Sequence, residues 1–415
     1  MTPHDAAAPR LVTTPRERPV ELIADAKTLR RFIDQLDPSL PVAIDAERAQ
    51  TFRYSAKAYL IQFRQDGVGT RLLDPIALAG PRQLADLSDL SEALSGCEWV
   101  LHAASQDLPC LAEVGLVPRR LFDTELAGRL LDLERVSLSP MLTHYLGIEL
   151  AKAHSADDWS RRPLPPDWLT YAALDVDYLL ELRQAVAADL DAAGKAGWAD
   201  QEFDDIMTRF APGETDPAER WRLAKGVGRL RRPRDLAVAQ HLWEFRDDLA
   251  RQLDIAPRRV LTDTDLVAAA TDFGHLKPGE VPGAIASQPG FTGRLAKRHR
   301  ARWLSAINSA LRDDPSHWPA RPAGHAMPPP RLWERDYPEA AKRWAAARAV
   351  VIEVAEAKGV PVENLMTVAT LAEVVWPDNA DYSQDGLREA FAKAGARPWQ
   401  IDLTAPPVAD TLTGH

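Results

Sequence analysis

Four acidic residues at widely separated positions, Asp45, Glu47, Asp107 and Asp175, and one phenol, Tyr171, are the side chains of this sequence best suited to chemistry. Asp45 and Glu47 close the apolar run Pro41-Val-Ala-Ile-Asp45-Ala-Glu47. Two positions apart on a strand, both carboxylates leave the same face. Like charges at that spacing repel and resist desolvation, and a bound cation relieves both costs. Tyr171 and Asp175 lie in a stretch whose apolar residues (Leu169, Ala172, Ala173, Val176, Leu179, Leu180) recur at helical steps. Four residues apart, phenol and carboxylate stand one above the other on a single helical face. An isolated Tyr-x-x-x-Asp is ordinarily a surface pair, so its meaning here comes from the acids upstream. Asp107 follows another apolar run, five residues beyond His102. Oxygen ligands gathered from strand ends and a helix suit hard divalent cations. Two such ions about 4 Å apart can hold a phosphodiester, lower the pKa of a water and stabilise a leaving alkoxide.

The elements that must position these groups can be read in chain order. Residues 20–24, 41–47, 58–63 and 70–74 are expected as strands, with Asp66-Gly67 turning between the last two. Asp25 is suited to cap a helix over 27–36. A helix over 82–94, a strand over 98–104, and helices over 124–133, 139–146 and 166–193 complete the first part. Strands in a meander followed by helix–strand–helix units indicate an α/β domain, a mixed sheet flanked by helices.

Composition narrows the classes. A chain of 415 residues accommodates two to four domains, and 46% hydrophobic with 27% charged residues is ordinary for a globular protein. The net charge of −10 means that any nucleic-acid binding must come from local patches or metals. Cys97 and Cys110 are the only thiols and sit in apolar contexts, which points to a reduced, cytoplasmic protein without disulfides. No apolar run reaches membrane-spanning length, so no membrane is expected as a partner. A monomer is expected.

Four blocks, taken in order, carry a resemblance. Ile44-Asp45-Ala46-Glu47, Leu101-His102-Ala-Ala-Ser-Gln-Asp107-Leu, Asp158-Trp159-Ser-Arg-Arg-Pro163-Leu and Tyr171-Ala-Ala-Leu-Asp175-Val resemble the motifs of the DEDD 3′→5′ exonucleases. The tyrosine subclass, and the ribonuclease D family within it, is the nearest. The likeness covers roughly residues 20–195 and implies a ribonuclease H-like fold. It also implies a metal-dependent enzyme that releases nucleoside 5′-monophosphates stepwise from RNA 3′ ends, as in tRNA or other stable-RNA processing. By motif position, Asp45, Glu47 and Asp175 would hold the ion that activates water, and Asp45 with Asp107 the second. Tyr171 would orient the attacking water. Mg²⁺ or Mn²⁺ would serve as the two divalent cations. Ala46 and Arg48 stand where the family more often has Thr and an aromatic residue. Arg48 is thereby a candidate for a phosphate contact, weighed against a solvated arginine.

Other groups have plainer readings. Asp123-Thr-Glu125 opens a helix, where acids favour the dipole, so it reads as a cap rather than a ligand set. His102 reads as a buried, hydrogen-bonded histidine. Lys152, His154 and the pair Arg161-Arg162 lie near the catalytic helix and could meet RNA phosphates or simply be solvated. Trp159 and Trp168 are expected to pack the loop before that helix.

Beyond the sheet the chain repeats itself. Ile255–Leu266 aligns with Val360–Leu371, and Phe245–Leu253 with Val350–Lys358, both at an offset of 105. The first copy resembles the HRDC domain (helicase and ribonuclease D C-terminal), and the second a diverged copy. The first carries the basic stretch Arg294, Lys297, Arg298 and Arg300, suited to backbone phosphates. The expected layout is a flexible tail over 1–18, an exonuclease domain over 19–197 and a connector over 198–231. An HRDC domain over 232–313, a Pro-rich linker over 314–332, an HRDC-like domain over 333–405 and a tail over 406–415 follow. The expected partner is RNA with a single-stranded 3′ end. A DNA 3′→5′ exonuclease and a noncatalytic RNA-binding adaptor are the alternatives, the latter opposed by the presence of Tyr171 and all four acids.

Overall fold

The computed structural model describes residues 8–80, 83–151, 157–210, 217–320, 327–378 and 380–414. The chain divides into two units, one of residues 1–47, 58–212 and 327–415, the other of residues 48–57 and 213–326.

Among the described residues the first unit contains two sheets. Strand β1 (Arg10–Val12) pairs in parallel with β8 (Ile148–Leu150). The main sheet is built from β2 (Glu21–Ile23), β3 (Val42–Arg48), β4 (Ala58–Gln65), β5 (Gly69–Leu73), β6 (Trp99–Leu101) and β7 (Leu121–Asp123). Their spatial order is β2-β5-β4-β3-β6-β7. β4 and β5 are antiparallel, with Phe63 opposite Arg71, whereas β2 with β5, β3 with β6 and β6 with β7 are parallel. The sheet is therefore mixed, as the strand pattern implies. Residues of β4 are buried along the whole strand, as a central strand covered on both faces requires.

Helices cover the sheet: α1 (Ala26–Gln35), α2 (Pro75–Ala79), α3 (Ser88–Ala93), α4 (Leu108–Glu113), α5 (Thr124–Leu130), α6 (Leu138–Leu146), α7 (Pro166–Asp177), α8 (Leu179–Ala192) and α9 (Ala196–Arg209). Asp25 caps α1, accepting from the backbone N–H groups of Lys27 and Thr28. The helix expected over 82–94 is shorter, and Asp74 with Pro75 starts a separate α2. The long helix expected over 166–193 is two helices broken at Tyr178, a break the sequence hides because the apolar spacing runs on across both.

The expected layout needs three corrections. Residues 10–18 are not a loose tail: Arg10–Val12 is a strand, and the backbone of Arg16 donates to Asp177. A three-residue strand has no readable alternation, and its partner lies far along the chain. The sheet-bearing unit runs past residue 197, since Phe203 of α9 packs on Phe122 of β7 with ring centroids 5.1 Å apart. Residues 406–413 continue a helix rather than forming a tail, although Pro406 and Pro407 lie within it.

In the second unit the helices are α10 (Pro233–Leu253), α11 (Pro257–Val260), α12 (Asp263–Phe273), α13 (Val281–Ala284), α14 (Arg294–Arg298) and α15 (Arg300–Arg312). They close around Leu242, Leu266, Phe273, Trp303 and Ile307, all fully buried. The first unit ends with α16 (Trp333–Asp336), α17 (Pro338–Lys358), α18 (Val362–Leu365), α19 (Val368–Val375), α20 (Gln384–Lys393) and α21 (Pro398–Thr413). The sequence offset persists in space. α10 and α17 start 105 residues apart, and so do α11 and α18, and α12 and α19. Asp254 and Gly359 both end their long helix in a left-handed conformation, and Thr262 and Thr367 both cap the helix that follows. The C-terminal helices dock on α9. Arg397 Nε donates to Glu202 at 2.6 Å, Trp399 Nε1 to the same carboxylate at 2.9 Å, and Trp198 stacks on Trp399 at 4.7 Å. Among the described residues no helix is long and apolar enough to cross a membrane.

Candidate metal centre and active site

β3 alternates as its sequence demands. Ile44 and Ala46 are buried while Asp45 and Glu47 are partly exposed, so the two carboxylates share one face. α7 brings Asp175 to them. One carboxylate oxygen from each of Asp45, Glu47 and Asp175 can be chosen so that all three lie within 4.8 Å of one another. Burial and the charge of Asp45 hold the Asp175 carboxyl well above the usual carboxylate range. Three carboxylates at this separation share the same difficulty, and a hard divalent cation with oxygen ligands relieves it. The donor set fits such an ion.

Tyr171 stands one turn before Asp175 and hydrogen-bonds its carboxylate. Burial, then the charges of Asp175, Glu47 and Asp45, push the phenol above its ordinary value. Tyr171 therefore keeps its proton at neutral pH and acts as a hydrogen-bond donor rather than a base. Behind it Trp159 is fully buried, 5.1 Å from the Trp168 ring and 6.5 Å from that of Tyr171. The two tryptophans pack the loop before α7, as expected.

Asp107 is buried at the start of α4 and is not one of the three grouped acids. The turn leading to it is braced by Asp123. Ala103 adopts φ 61°, a left-handed conformation, and the Asp123 carboxylate accepts from the N–H groups of Ala103 at 3.0 Å and Ala104 at 2.8 Å. It also accepts from Glu125 and Leu126, so it caps α5 as well. Burial raises its pKa to about 6. Thr124 Oγ1 donates to Leu101 O, which leaves His102 Nδ1 as donor to Thr124 Oγ1 at 2.8 Å. Burial lowers His102 to about 4, so the ring is neutral.

The candidate RNA contacts are distributed unevenly. Arg48 is the last residue of β3 and half-buried. Arg161 is exposed, but Arg162 is committed to the protein: it donates at 2.7 Å to both Asp74 Oδ1 and Tyr59 O, and at 2.8 Å to Trp159 O. Its position beside Arg161 gave no hint of that. In the second unit Arg294, Lys297, Arg298 and Arg300 are exposed, and Arg300 also donates to Pro282 O at 2.7 Å. Lys152 and His154 lie outside the described residues.

One buried carboxylate beside the site escaped the sequence reading. Asp177 is fully buried on the helix that carries Tyr171 and Asp175. It falls four residues after Ala173 and three before Leu180, at the spacing of the apolar face, and that placement is the signal that could have found it.

Comparison with known proteins adds to this geometry. Residues 20–191 match the family described as 3'-5' exonuclease, residues 235–307 the HRDC domain, and residues 326–412 the 3' to 5' exonuclease C-terminal domain. A ribonuclease D of Bartonella henselae is 30% identical over 257 residues, and the match spans 61% of this chain and 61% of that protein's length. The crystal structure of a protein from Bifidobacterium adolescentis superposes with a TM-score of 0.83 at 35% identity, covering 98% of this chain and 100% of that one. Escherichia coli RNase D, described as an exoribonuclease involved in structured RNA processing, shares the fold with a TM-score of 0.71 at 22% identity, covering 95% and 99%.

Proposed function

Since the chain belongs to the ribonuclease D family, we propose that it is a metal-dependent 3′→5′ exoribonuclease that releases nucleoside 5′-monophosphates from single-stranded RNA 3′ ends. The observation that carries the reading is the grouping of Asp45, Glu47 and Asp175 within 4.8 Å beside Tyr171. Asp45, Glu47 and Asp175 would hold one Mg²⁺ or Mn²⁺ ion, and Asp45 with Asp107 a second. When bound, such ions lower the pKa of the attacking water and neutralise charge on the phosphate and the departing 3′ oxygen. The protein supplies the rest. Tyr171, protonated at working pH, orients the attacking water by hydrogen bonding. Trp159 and Trp168 fix the loop that precedes α7. Arg48 and Arg161 are proposed to meet the phosphates near the site, and Arg294, Lys297, Arg298 and Arg300 those of the RNA body. Processing of tRNA precursors or other structured stable RNAs is the proposed role.

The test incubates the purified protein with matched end-labelled RNA and DNA in Mg²⁺, Mn²⁺ or EDTA. Mononucleotides should appear from RNA with either metal and not with EDTA, and Asp45→Asn should abolish them. Equal digestion by Asp45→Asn would defeat the site. Preferential release from DNA would point to a deoxyribonuclease instead.

A further inference from the structure

Asp177 stands two residues beyond Asp175 and takes three hydrogen bonds in a site closed to solvent. Oδ1 accepts from Thr70 Oγ1 at 2.8 Å and from Arg64 Nη1 at 3.2 Å, and Oδ2 from the backbone N–H of Arg16 at 2.8 Å. Arg64 Nη1 also donates to Thr70 Oγ1 at 3.0 Å and to both oxygens of Glu17 at 3.1 Å. The guanidinium of Arg16 lies 4.1 Å over the Tyr178 ring and pairs with Glu181. The N-terminal segment thus grips the end of α7 and the start of α8, with β4 and β5 beneath.

Physical chemistry explains why such a clasp is needed. The last turn of α7 carries two carboxylates, Asp175 and Asp177, and no basic residue. Negative charge at a helix C-terminus is unfavourable. A buried carboxylate there persists only with a cation and a full set of donors, which β4, β5 and the N-terminal segment provide. Gly69 leaves room for the clasp, since a Cβ at that position would stand 2.9 Å from Glu17 Oε1.

We propose that Asp177, Thr70, Arg64 and the Arg16–Glu17 segment form a positioning device that fixes the rotation and register of α7, and with them the place of Asp175 and Tyr171 against Asp45 and Glu47. This rests on the reading of those four residues as the reactive centre. The clasp residues act through the backbone of α7, and an ångström of helix displacement is enough to cost catalysis about 100-fold.

The test uses the full chain and four substitutions. Thr70→Val removes one donor and Thr70→Ser retains it. Arg16→Pro removes the backbone N–H, and Arg16→Ala removes only the guanidinium. Three quantities are read: kcat and KM on RNA, Mn²⁺ affinity by calorimetry without RNA, and the thermal midpoint. Thr70→Val should lower kcat about tenfold or more and weaken Mn²⁺ binding, with KM for RNA unchanged. Thr70→Ser should restore both, and Arg16→Pro should lose more than Arg16→Ala. The proposal is overturned if Thr70→Val and Arg16→Pro, folded by their thermal midpoints, keep the parental kcat and Mn²⁺ affinity, or if only KM moves. If one substitution unfolds the chain, the other pair decides. The parent and Asp45→Asn are assayed alongside. An inactive parent defeats the site itself, whereas parent-like clasp variants defeat only the positioning.

Discussion

The Asp123 carboxylate, carried at the end of β7, accepts the N–H of Ala103, whose left-handed backbone opens the turn to Asp107. Next to it the neutral ring of His102 donates to Thr124. These neighbours respond to pH with opposite sign. His102 is lowered from 6.5 to about 4, so its contribution to stability is complete above pH 6.5 and is lost as pH falls towards 4. Asp123 is raised from 3.8 to about 6, so its contribution is present below 3.8 and is lost as pH rises through 6. At about 1.4 kcal/mol per pKa unit, each is worth on the order of 3 kcal/mol. Urea denaturation between pH 4 and 7 separates them. His102→Asn should leave stability that falls as pH rises from 4 to 6. Asp123→Asn should leave stability that climbs over the same interval, from a baseline about 1–3 kcal/mol lower because the N–H of Ala104, bonded to Oδ2, loses its acceptor. Parallel curves for the two variants would refute the assignment.

Tyr171→Phe tests the phenol. The ring packing near Trp159 is kept and only the hydroxyl is lost. The expected outcome is a kcat reduced about 100-fold at unchanged RNA affinity, the usual consequence of removing one oriented hydrogen-bond donor. A fall in RNA affinity at constant kcat would assign Tyr171 to substrate binding.

What the sequence revealed and concealed follows from the range of the interactions. Asp45 and Glu47 on one strand face, and Tyr171 over Asp175 on one helix face, are local periodicities, so their pairing could be read directly. The 105-residue repeat was legible for the same reason: the Thr262 and Thr367 caps are written within a single turn. The segment over 10–18 was misread because its order comes from β8 and from Asp177, both far along the chain. Arg162 beside Arg161 could be read as a phosphate contact or a solvated side chain, and it is neither, because Asp74 and the carbonyl of Tyr59 claim it. Charge alone does not tell a solvated arginine from a buried fastener.

The exposed basic residues of α14 make a measurable electrostatic prediction. Lys297 and Arg298 are both exposed on this short helix. If each neutralises one phosphate, changing both to alanine should reduce the slope of log K against log salt by about 1.4, at about 0.7 per single-stranded contact. Fluorescence anisotropy with labelled RNA at several salt concentrations reads the slope. kcat at saturating RNA should not change. An unaltered slope would remove α14 from the RNA path.

The grouped acids themselves yield the last prediction, which needs no substrate. Without a cation, Asp45, Glu47 and Asp175 repel one another across less than 5 Å. Removing one charge should therefore stabilise the metal-free protein even though it weakens a ligand. Glu47→Gln keeps the shape of the side chain and should raise the thermal midpoint in EDTA by about 2–4 °C, the shift that about 1 kcal/mol produces in a domain of this size. With Mn²⁺ the order reverses. The parent should gain stability as RT ln(1 + [L]/Kd), while the variant, with a neutral amide oxygen in place of a carboxylate, gains less at the same concentration. The crossing of the two melting curves between EDTA and Mn²⁺ is the signature of a site whose native acids are held in conflict for a cation. A variant less stable than the parent in EDTA would mean that Glu47 is fixed by ordinary hydrogen bonds instead.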